Sequence, residues 1–309
     1  MTLVHKLPNI QDKFNIRGIL VAQEPMWRHT TFRLGGPADL YAQPLDAEDL
    51  AQLQKMAFQE GLDLFLLGGG ANLLVSDQGI RGLVADTRNL NEWRREENLV
   101  ILGGGLDVSE AAWRTSASGA KGLEFLFGMP GSVGGALWMN ARCYNQEISD
   151  VFEWADVLNA DGSVERIPMN PNNWAYKHSP FQEDSRCILR CGIRVEEAPF
   201  SELRQSMVEK RNDREEKGHY RAPCAGSAFK NNRDFGVPSG VLIDRCGLKG
   251  LRHGGASVSQ WHGNIVINDQ GATSSHVDSL LDEVARIVEE ESGFCMEREV
   301  LRVGDWQSP

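Results

Sequence analysis

Leu67-Gly68-Gly69-Gly70-Ala71-Asn72-Leu73-Leu74 and, about sixty residues further on, Gly128-Met129-Pro130-Gly131-Ser132-Val133-Gly134-Gly135-Ala136 decide how this chain is read. Each stretch follows an apolar run, residues 64–67 in one case and 123–127 in the other. Glycine loses more backbone entropy on folding than any other residue, so a dense cluster marks main chain that must approach something closely. A phosphate held by backbone N–H groups is one such thing, and a tight turn is the other. Two such loops point to a ligand with a pyrophosphate at its centre. Neither loop contains Gly-x-Gly-x-x-Gly opening a helix, nor Gly-x-x-x-x-Gly-Lys-Ser/Thr. A Rossmann dehydrogenase and a P-loop phosphotransferase are therefore disfavoured.

The 309 residues suit two or three domains rather than one small core. Apolar residues at 41% and charged residues at 24% place the chain among ordinary globular proteins. A net charge of −11 makes nucleic acid a poor partner, although a local Arg/Lys cluster could still hold a small anion. The cysteines are scattered. Cys187 and Cys191 lie close together in Cys-Ile-Leu-Arg-Cys, which alternates like a strand and lacks zinc-knuckle spacing. They read as structural thiols, and no metal is expected. Met1-Thr2-Leu3-Val4-His5-Lys6 has no apolar h-region, and no apolar stretch approaches the ~18 residues of a membrane span. The expectation is a cytoplasmic enzyme with reduced thiols and no membrane insertion.

Residues 46–61 have helical spacing of Leu50, Leu53 and Ala57, with Asp46 placed to cap the start and Gly61 the end. Strands are expected at 64–67, 82–87 and 98–102, and a helix at 108–118. Ala160-Asp161-Gly162 signals a hairpin between 151–159 and 163–167, and 187–195 reads as a further strand. Composition changes at Glu196-Glu197-Ala198-Pro199, before a polar helix over 201–216. The last third holds apolar runs at 241–243 and 263–268. An amphipathic helix then carries Val277, Leu280, Leu281, Val284, Ile287 and Val288, with Ser275 and Asp278 as a candidate capping box and Gly293 as its end. The pattern is α+β. Residues 1–28 form an N-terminal segment. Residues 29–196 form a region with both glycine loops, subdivided near 88, and 197–309 form a smaller α/β domain.

Six segments, in order, resemble one family. They are Thr31-Phe32-Arg33-Leu34-Gly35-Gly36-Pro37-Ala38; the first glycine loop; Gly122-Leu123-Glu124-Phe125 through Met139-Asn140-Ala141; Pro223-Cys224-Ala225-Gly226-Ser227-Ala228-Phe229-Lys230-Asn231; Leu242-Ile243 through Val258-Ser259; and Glu297-Arg298-Glu299-Val300. Together they resemble the UDP-N-acetylenolpyruvoylglucosamine reductase (MurB) family, in its shorter, second form. The resemblance implies a flavin fold of the vanillyl-alcohol-oxidase or p-cresol-methylhydroxylase type, with a substrate domain behind it. It implies non-covalent FAD, reduction of that FAD by NADPH, and hydride transfer to the enolpyruvyl double bond of UDP-N-acetylglucosamine enolpyruvate, giving UDP-N-acetylmuramate.

The resemblance assigns Arg33, Gly68, Gly69, Gly70, Ala71, Asn72, Gly128, Pro130, Gly131, Ser132, Gly134 and Gly135 to FAD. Ser227 matches the family's proton donor; a serine can serve when the acceptor is a strongly basic enolate and a cation stands nearby. Glu299 is the candidate carboxyl beside the developing enolate, where a buried carboxyl can hydrogen-bond the substrate carboxylate. Glu297 is its rival, and strand alternation would put both on one face. The family usually shows Tyr-Arg-x-Ser where this chain reads Tyr176-Lys177-His178-Ser179. Lys177 keeps the charge expected to polarise the substrate carboxylate but lacks the guanidinium fork. Tyr176, Lys217, Asn231 and His262 are the substrate-binding candidates. Further departures are Arg142-Cys143 where Gly-Ala is common, Cys224 for Ser, and Asn232 for Pro. A covalent-flavin oxidase is the competing enzyme, disfavoured because residues 68–72 contain no histidine. A flavin- or UDP-sugar-binding regulator is the competing non-enzyme, disfavoured by Ser227 and Glu299 together.

Overall fold

The structure is a computed structural model and describes residues 3–183 and 186–306. Helices run over Leu3–Phe14 (α1), Ala47–Glu60 (α2), Val108–Ala117 (α3), Val133–Trp138 (α4), Phe200–Glu216 (α5), Ser239–Arg245 (α6) and Ser274–Ser292 (α7). α2 is built as its sequence requires. The Asp46 carboxylate accepts the Asp49 N–H at 2.9 Å, and Gly61, at φ 64, closes the last turn. Between these ends Leu50, Leu53, Met56 and Ala57 are buried on one stripe.

A four-stranded sheet has the order Ile19–Pro25, Pro37–Gln43, Ile80–Asp86, Leu64–Leu67. Its last pair is parallel, with Leu67 opposite Asp86, so the first glycine loop leaves directly from a strand end. A five-stranded antiparallel sheet has the order Val164–Pro168, Phe152–Leu158, Cys187–Arg194, Leu99–Gly103, Trp93–Glu96. The expected hairpin joins its first two strands. Gly162 turns at φ 85, and the Asn159 N–H donates to the Ser163 carbonyl at 2.9 Å. The mixed α+β character is the one expected.

The chain divides into two compact units, Met1–Gln23, Leu40–Gly69 and Gly82–Arg211 in the first, Glu24–Asp39, Gly70–Arg81 and Asn212–Pro309 in the second. The first unit's main core gathers Val100, Leu102, Phe125, Leu126, Phe152 and Phe181 around the five-stranded sheet and α3. Cys187 and Cys191 are buried in this sheet, and burial pushes the Cys187 thiol up to about 12 and the Cys191 thiol upward as well. Both stay protonated and unreactive, as the structural reading expected.

The second unit's core joins Phe32, Leu34 and Leu74 to Phe229, Ile243, Ile265, Val277 and Leu281. Its antiparallel sheet has the order Cys224–Ser227, Ile265–Asn268, Ala256–Val258, Arg252–His253, with α7 packed on it. Strand Leu73–Val75 pairs in parallel with Leu301–Val303. α7 departs from expectation at its start. Its N-cap is Thr273, whose hydroxyl accepts the His276 N–H at 3.1 Å, not Ser275. The cause is Asp77, whose carboxylate takes the Ser274 and Ser275 N–H groups and the Ser275 hydroxyl, satisfying the orphan donors of the first turn. Asp278, the expected partner of Ser275, instead binds Arg298 at 2.5 Å. Among the described residues no helix is long and apolar enough to cross a membrane, and no group of three His, Cys, Asp or Glu could hold a metal ion.

Candidate active site

In the first unit the two glycine loops meet main chain to main chain. A Cβ on Gly68 would strike Ser132 Oγ, and one on Gly69 would stand 2.5 Å from Gly131 Cα. Nothing larger than glycine fits at Gly69 without moving backbone. The second loop is fixed from behind. The Gly128 N–H donates to Ser109 Oγ at 2.8 Å, the Val133 N–H to Leu106 O at 2.8 Å, and the Gly134 N–H to Gly104 O at 2.7 Å. Ser132 caps α4 by accepting the Gly135 N–H at 3.2 Å. Pro130 and Gly135 are exposed. The N–H groups of Gly69, Gly131 and Ser132 meet no acceptor among the described residues. A backbone cradle with donors to spare fits the phosphates of a dinucleotide, so the residues present suit FAD.

Tyr176 and Lys177 form the tip of a tight turn in the same unit. Ala175 and His178 exchange both backbone hydrogen bonds, and Lys177 takes φ 57. The turn is anchored by Asn140, whose Nδ2 donates to Ala175 O at 2.9 Å and to Glu147 Oε2 at 3.0 Å. Arg142 pairs with Glu147 at 3.1 Å and lies 5.8 Å from the Tyr176 ring centroid. Arg142, one of the departures from the family pattern, thus stands beside this turn. Ser179 is wholly buried and donates to Trp138 O at 2.8 Å.

The remaining candidates belong to the second unit. Gly70, at φ 61, accepts the Thr31 N–H at 3.1 Å, and a Cβ there would overlap His29 O. Ala71 is half-buried. Asn72 donates its side-chain N–H to Glu299 O at 3.0 Å and accepts the Leu301 N–H at 3.0 Å. Arg33 is exposed at φ 54, its N–H donating to Thr30 O at 3.1 Å.

Ser227 ends an edge strand opposite Ile265, after a register irregularity from Cys224. Gly226, inside that irregularity, has φ 72 and open space where a side chain would stand. Such a bulge re-aims the next side chain. The segment after Ser227 runs beside the C-terminal motif. The Glu299 N–H donates to Ala228 O at 2.8 Å, and the Lys230 N–H to Glu297 O at 2.9 Å. The two glutamates part company here. Glu299 is buried, whereas Glu297 is exposed and paired with Lys230 at 2.5 Å. Among the described residues a single isolated bridge, Phe229–Arg298, joins the two segments between these bonds.

Lys217 follows α5 and pairs with Asp213 at 2.7 Å. His219 and His262 stand 5.9 Å apart, ring to ring. Burial first, then Arg214, lowers His219 to about 4. Burial first, then Lys217, lowers His262. Both rings are neutral near pH 7. His262 Nδ1 accepts the Asn264 N–H at 3.1 Å, which assigns the proton to Nε2. Asn231 Oδ1 accepts the Ser239 N–H at 2.8 Å at the start of α6. Three supporting roles went unread in the sequence: Ser109 behind Gly128, Asn140 behind the Tyr176–Lys177 turn, and Asn264 behind Ala228 and Phe229. Each acts across distant chain, and an isolated Ser or Asn carries no local signal of that.

Known proteins match both parts of the chain. An FAD binding domain model matches residues 38–168, and the model of the UDP-N-acetylenolpyruvoylglucosamine reductase C-terminal domain matches 218–303. The reductase of that name from Treponema denticola is 37% identical over 99% of this chain and 98% of its own. That from Borrelia garinii is 34% identical over 98% of each. The crystal structure of the reductase from Thermus caldophilus is similar with a TM-score of 0.78, at 30% identity, covering 93% of this chain and 99% of its own. With a glycine cradle suited to a dinucleotide and relatives matched over nearly its whole length, the chain belongs to the UDP-N-acetylenolpyruvoylglucosamine reductase family.

Proposed function

We propose that this chain, an FAD-dependent oxidoreductase, reduces UDP-N-acetylglucosamine enolpyruvate to UDP-N-acetylmuramate for peptidoglycan precursor synthesis. FAD held there would supply hydride transfer from NADPH to the enolpyruvyl double bond. Residues 29–196 serve FAD and 197–309 serve the substrate. Gly68, Gly69, Gly131 and Ser132 offer main-chain donors to the cofactor phosphates, and Gly128, Pro130, Gly134 and Gly135 shape the second loop around them. Arg33, Gly70, Ala71 and Asn72 complete the set. Free, buried Cys187 and Cys191 suit a reducing compartment, and the cytoplasm is the proposed location.

Hydride addition leaves negative charge beside the substrate carboxylate. The Lys177 ammonium, carried at a turn tip, draws that charge onto the carboxylate oxygens. The Ser227 hydroxyl gives its proton to the carbanion carbon. Glu299 flanks the same carboxylate. His262, neutral and protonated at Nε2, donates a hydrogen bond without adding charge. Lys217 answers the diphosphate, Asn231 the sugar, and Tyr176 covers the substrate.

The observation that carries the reading is the Ala228 carbonyl. It follows Ser227 directly and accepts the Glu299 N–H at 2.8 Å, so the proposed proton donor and carboxyl share one hydrogen-bonded backbone frame. The test separates the half-reactions without oxygen. Ser227→Ala should bleach with NADPH at the unaltered rate. Its reoxidation by the enolpyruvyl substrate should slow by roughly 10²- to 10⁴-fold, the range of general acid catalysis. Reoxidation at the unaltered rate would remove Ser227 from the mechanism.

A further inference from the structure

Directly after Ser227 the backbone is gripped by one buried side chain. Asn264 is 2% exposed. Its Oδ1 accepts the Phe229 N–H at 2.9 Å, and its Nδ2 donates to Phe229 O at 2.7 Å. Its own carbonyl accepts the Ala228 N–H at 2.8 Å. Both polar atoms of the amide are thus committed to a single residue, and a third bond from the same residue reaches the neighbour. The paired donor and acceptor also fix which way round the amide stands. On its far side the Asn264 N–H donates to His262 Nδ1 at 3.1 Å. The Ala228 carbonyl, held by this grip, receives the Glu299 N–H.

We infer that Asn264 is the positioning residue of proton delivery: through the Ala228–Phe229 backbone it sets where Ser227 and Glu299 stand, and through Nδ1 it sets the tautomer of His262. The inference rests on the proposed role of Ser227 as proton donor. A buried amide that exchanges both of its hydrogen bonds with one backbone residue leaves that residue a single well-defined position. Ser227 itself is paired with Ile265, but the strand is irregular just before it at Gly226, so the grip that follows falls on Asn264. Precise placement matters here because displacing a reacting group by about 1 Å costs ~10²-fold in rate. Asn264 itself need not touch the substrate.

Two variants test this. Asn264→Asp keeps the volume and the acceptor for the Phe229 N–H but sets a carboxylate against Phe229 O. Asn264→Leu removes both bonds. Each is purified with FAD and followed through the two half-reactions, alongside Ser227→Ala. The expected result is reduction by NADPH at the wild-type rate and unchanged KM for the enolpyruvyl substrate. The kcat for reoxidation should fall ~10- to 100-fold, with a larger solvent deuterium isotope effect because proton delivery now limits the rate. Reoxidation at the wild-type rate in both variants would overturn the inference, and so would loss of FAD with equal damage to both half-reactions. A change in KM alone would also overturn it. If Ser227→Ala reoxidises normally, the proton-donor reading itself fails. If only the Asn264 variants do, that reading stands and Asn264 is structural filling.

Discussion

At Gly69 the first unit presses main chain on main chain, whereas just beyond Ser227 the second unit grips its backbone with a buried side-chain amide. The first arrangement tolerates no side chain: a Cβ on Gly69 would stand 2.5 Å from Gly131 Cα. Side chains assist only from behind, with Ser109 accepting the Gly128 N–H. The second tolerates any side chain that the core accepts at positions 228 and 229 but depends on a single residue, Asn264. The proposed binding of phosphate by backbone and the proposed delivery of a proton by side chain therefore place their demands on different parts of the sequence.

The division breaks most visibly at Lys177, a side chain of the first unit to which chemistry is assigned. Lys177→Ala should slow substrate-dependent reoxidation roughly 10²-fold, as removal of one charge-stabilising donor does, and leave reduction by NADPH intact. Unaltered turnover would return all the side-chain chemistry to the second unit. Next comes Gly69→Ala, expected to raise the Kd for FAD about 10- to 100-fold, the equivalent of ~1–3 kcal/mol of overpacking. Titration of apoprotein measures it. Gly61→Ala is the control, since Gly61 has φ 64 but nothing within 4 Å of a Cβ. It should cost about 1–2 kcal/mol of stability and leave FAD affinity alone. Equal FAD loss in both variants would mean that the loss follows general destabilisation and not the close approach at Gly69.

Smaller effects test the scaffolds. Asp156, buried in the first unit, binds Arg166 at 2.7 Å and Arg190 at 2.9 Å. The Arg166 hydrogen bond first, then Arg190, holds its carboxyl below the usual carboxylate range, against the effect of burial. A depressed folded value means the contribution is whole above the unfolded value of about 3.9 and vanishes as pH falls through the folded one. Asp156→Asn should therefore cost about 1–2 kcal/mol near pH 7, discounted for half-exposed arginines. The gap in Tm from wild type should close below about pH 4, and a gap that widens there would contradict the sign. Smallest is Thr273→Ala, expected to cost ~1 kcal/mol through its lost N-cap, with both half-reactions unchanged.

What the sequence disclosed was whatever depends on near neighbours. Asp46 and Gly61 bracket α2, Gly162 turns the hairpin, and the glycine loops leave strand or apolar runs, all within a few residues of their causes. The N-cap of α7 was misplaced because Asp77, nearly two hundred residues away, occupies the donors that a local reading gives to Asp278. Alternation could not separate Glu297 from Glu299, because positions two apart share one phase of a strand. Burial of one and exposure of the other depends on Lys230 and Ala228, which the local pattern does not contain. Of the site, the residues that would touch cofactor or substrate were nameable from motifs. The holding roles of Ser109, Asn140 and Asn264 were not, although Asn140 lies inside a quoted motif, since a solitary amide or hydroxyl becomes informative only when its partners are known.

The pairing of Leu73–Val75 with Leu301–Val303, strengthened by the Asn72 amide on Glu299 O, has a consequence in time. During synthesis the earlier strand emerges more than two hundred residues before its mate. Closing so long a loop is entropically slow, and contacts of such sequence separation form late. The first unit's five-stranded sheet, whose strands all lie within 93–194, can assemble while the ribosome is still working, but the second unit's parallel pair must wait for residue 303. A nascent chain stalled short of that point would be expected to resist proteolysis over 93–194 and remain cleavable at 24–39 and 70–81.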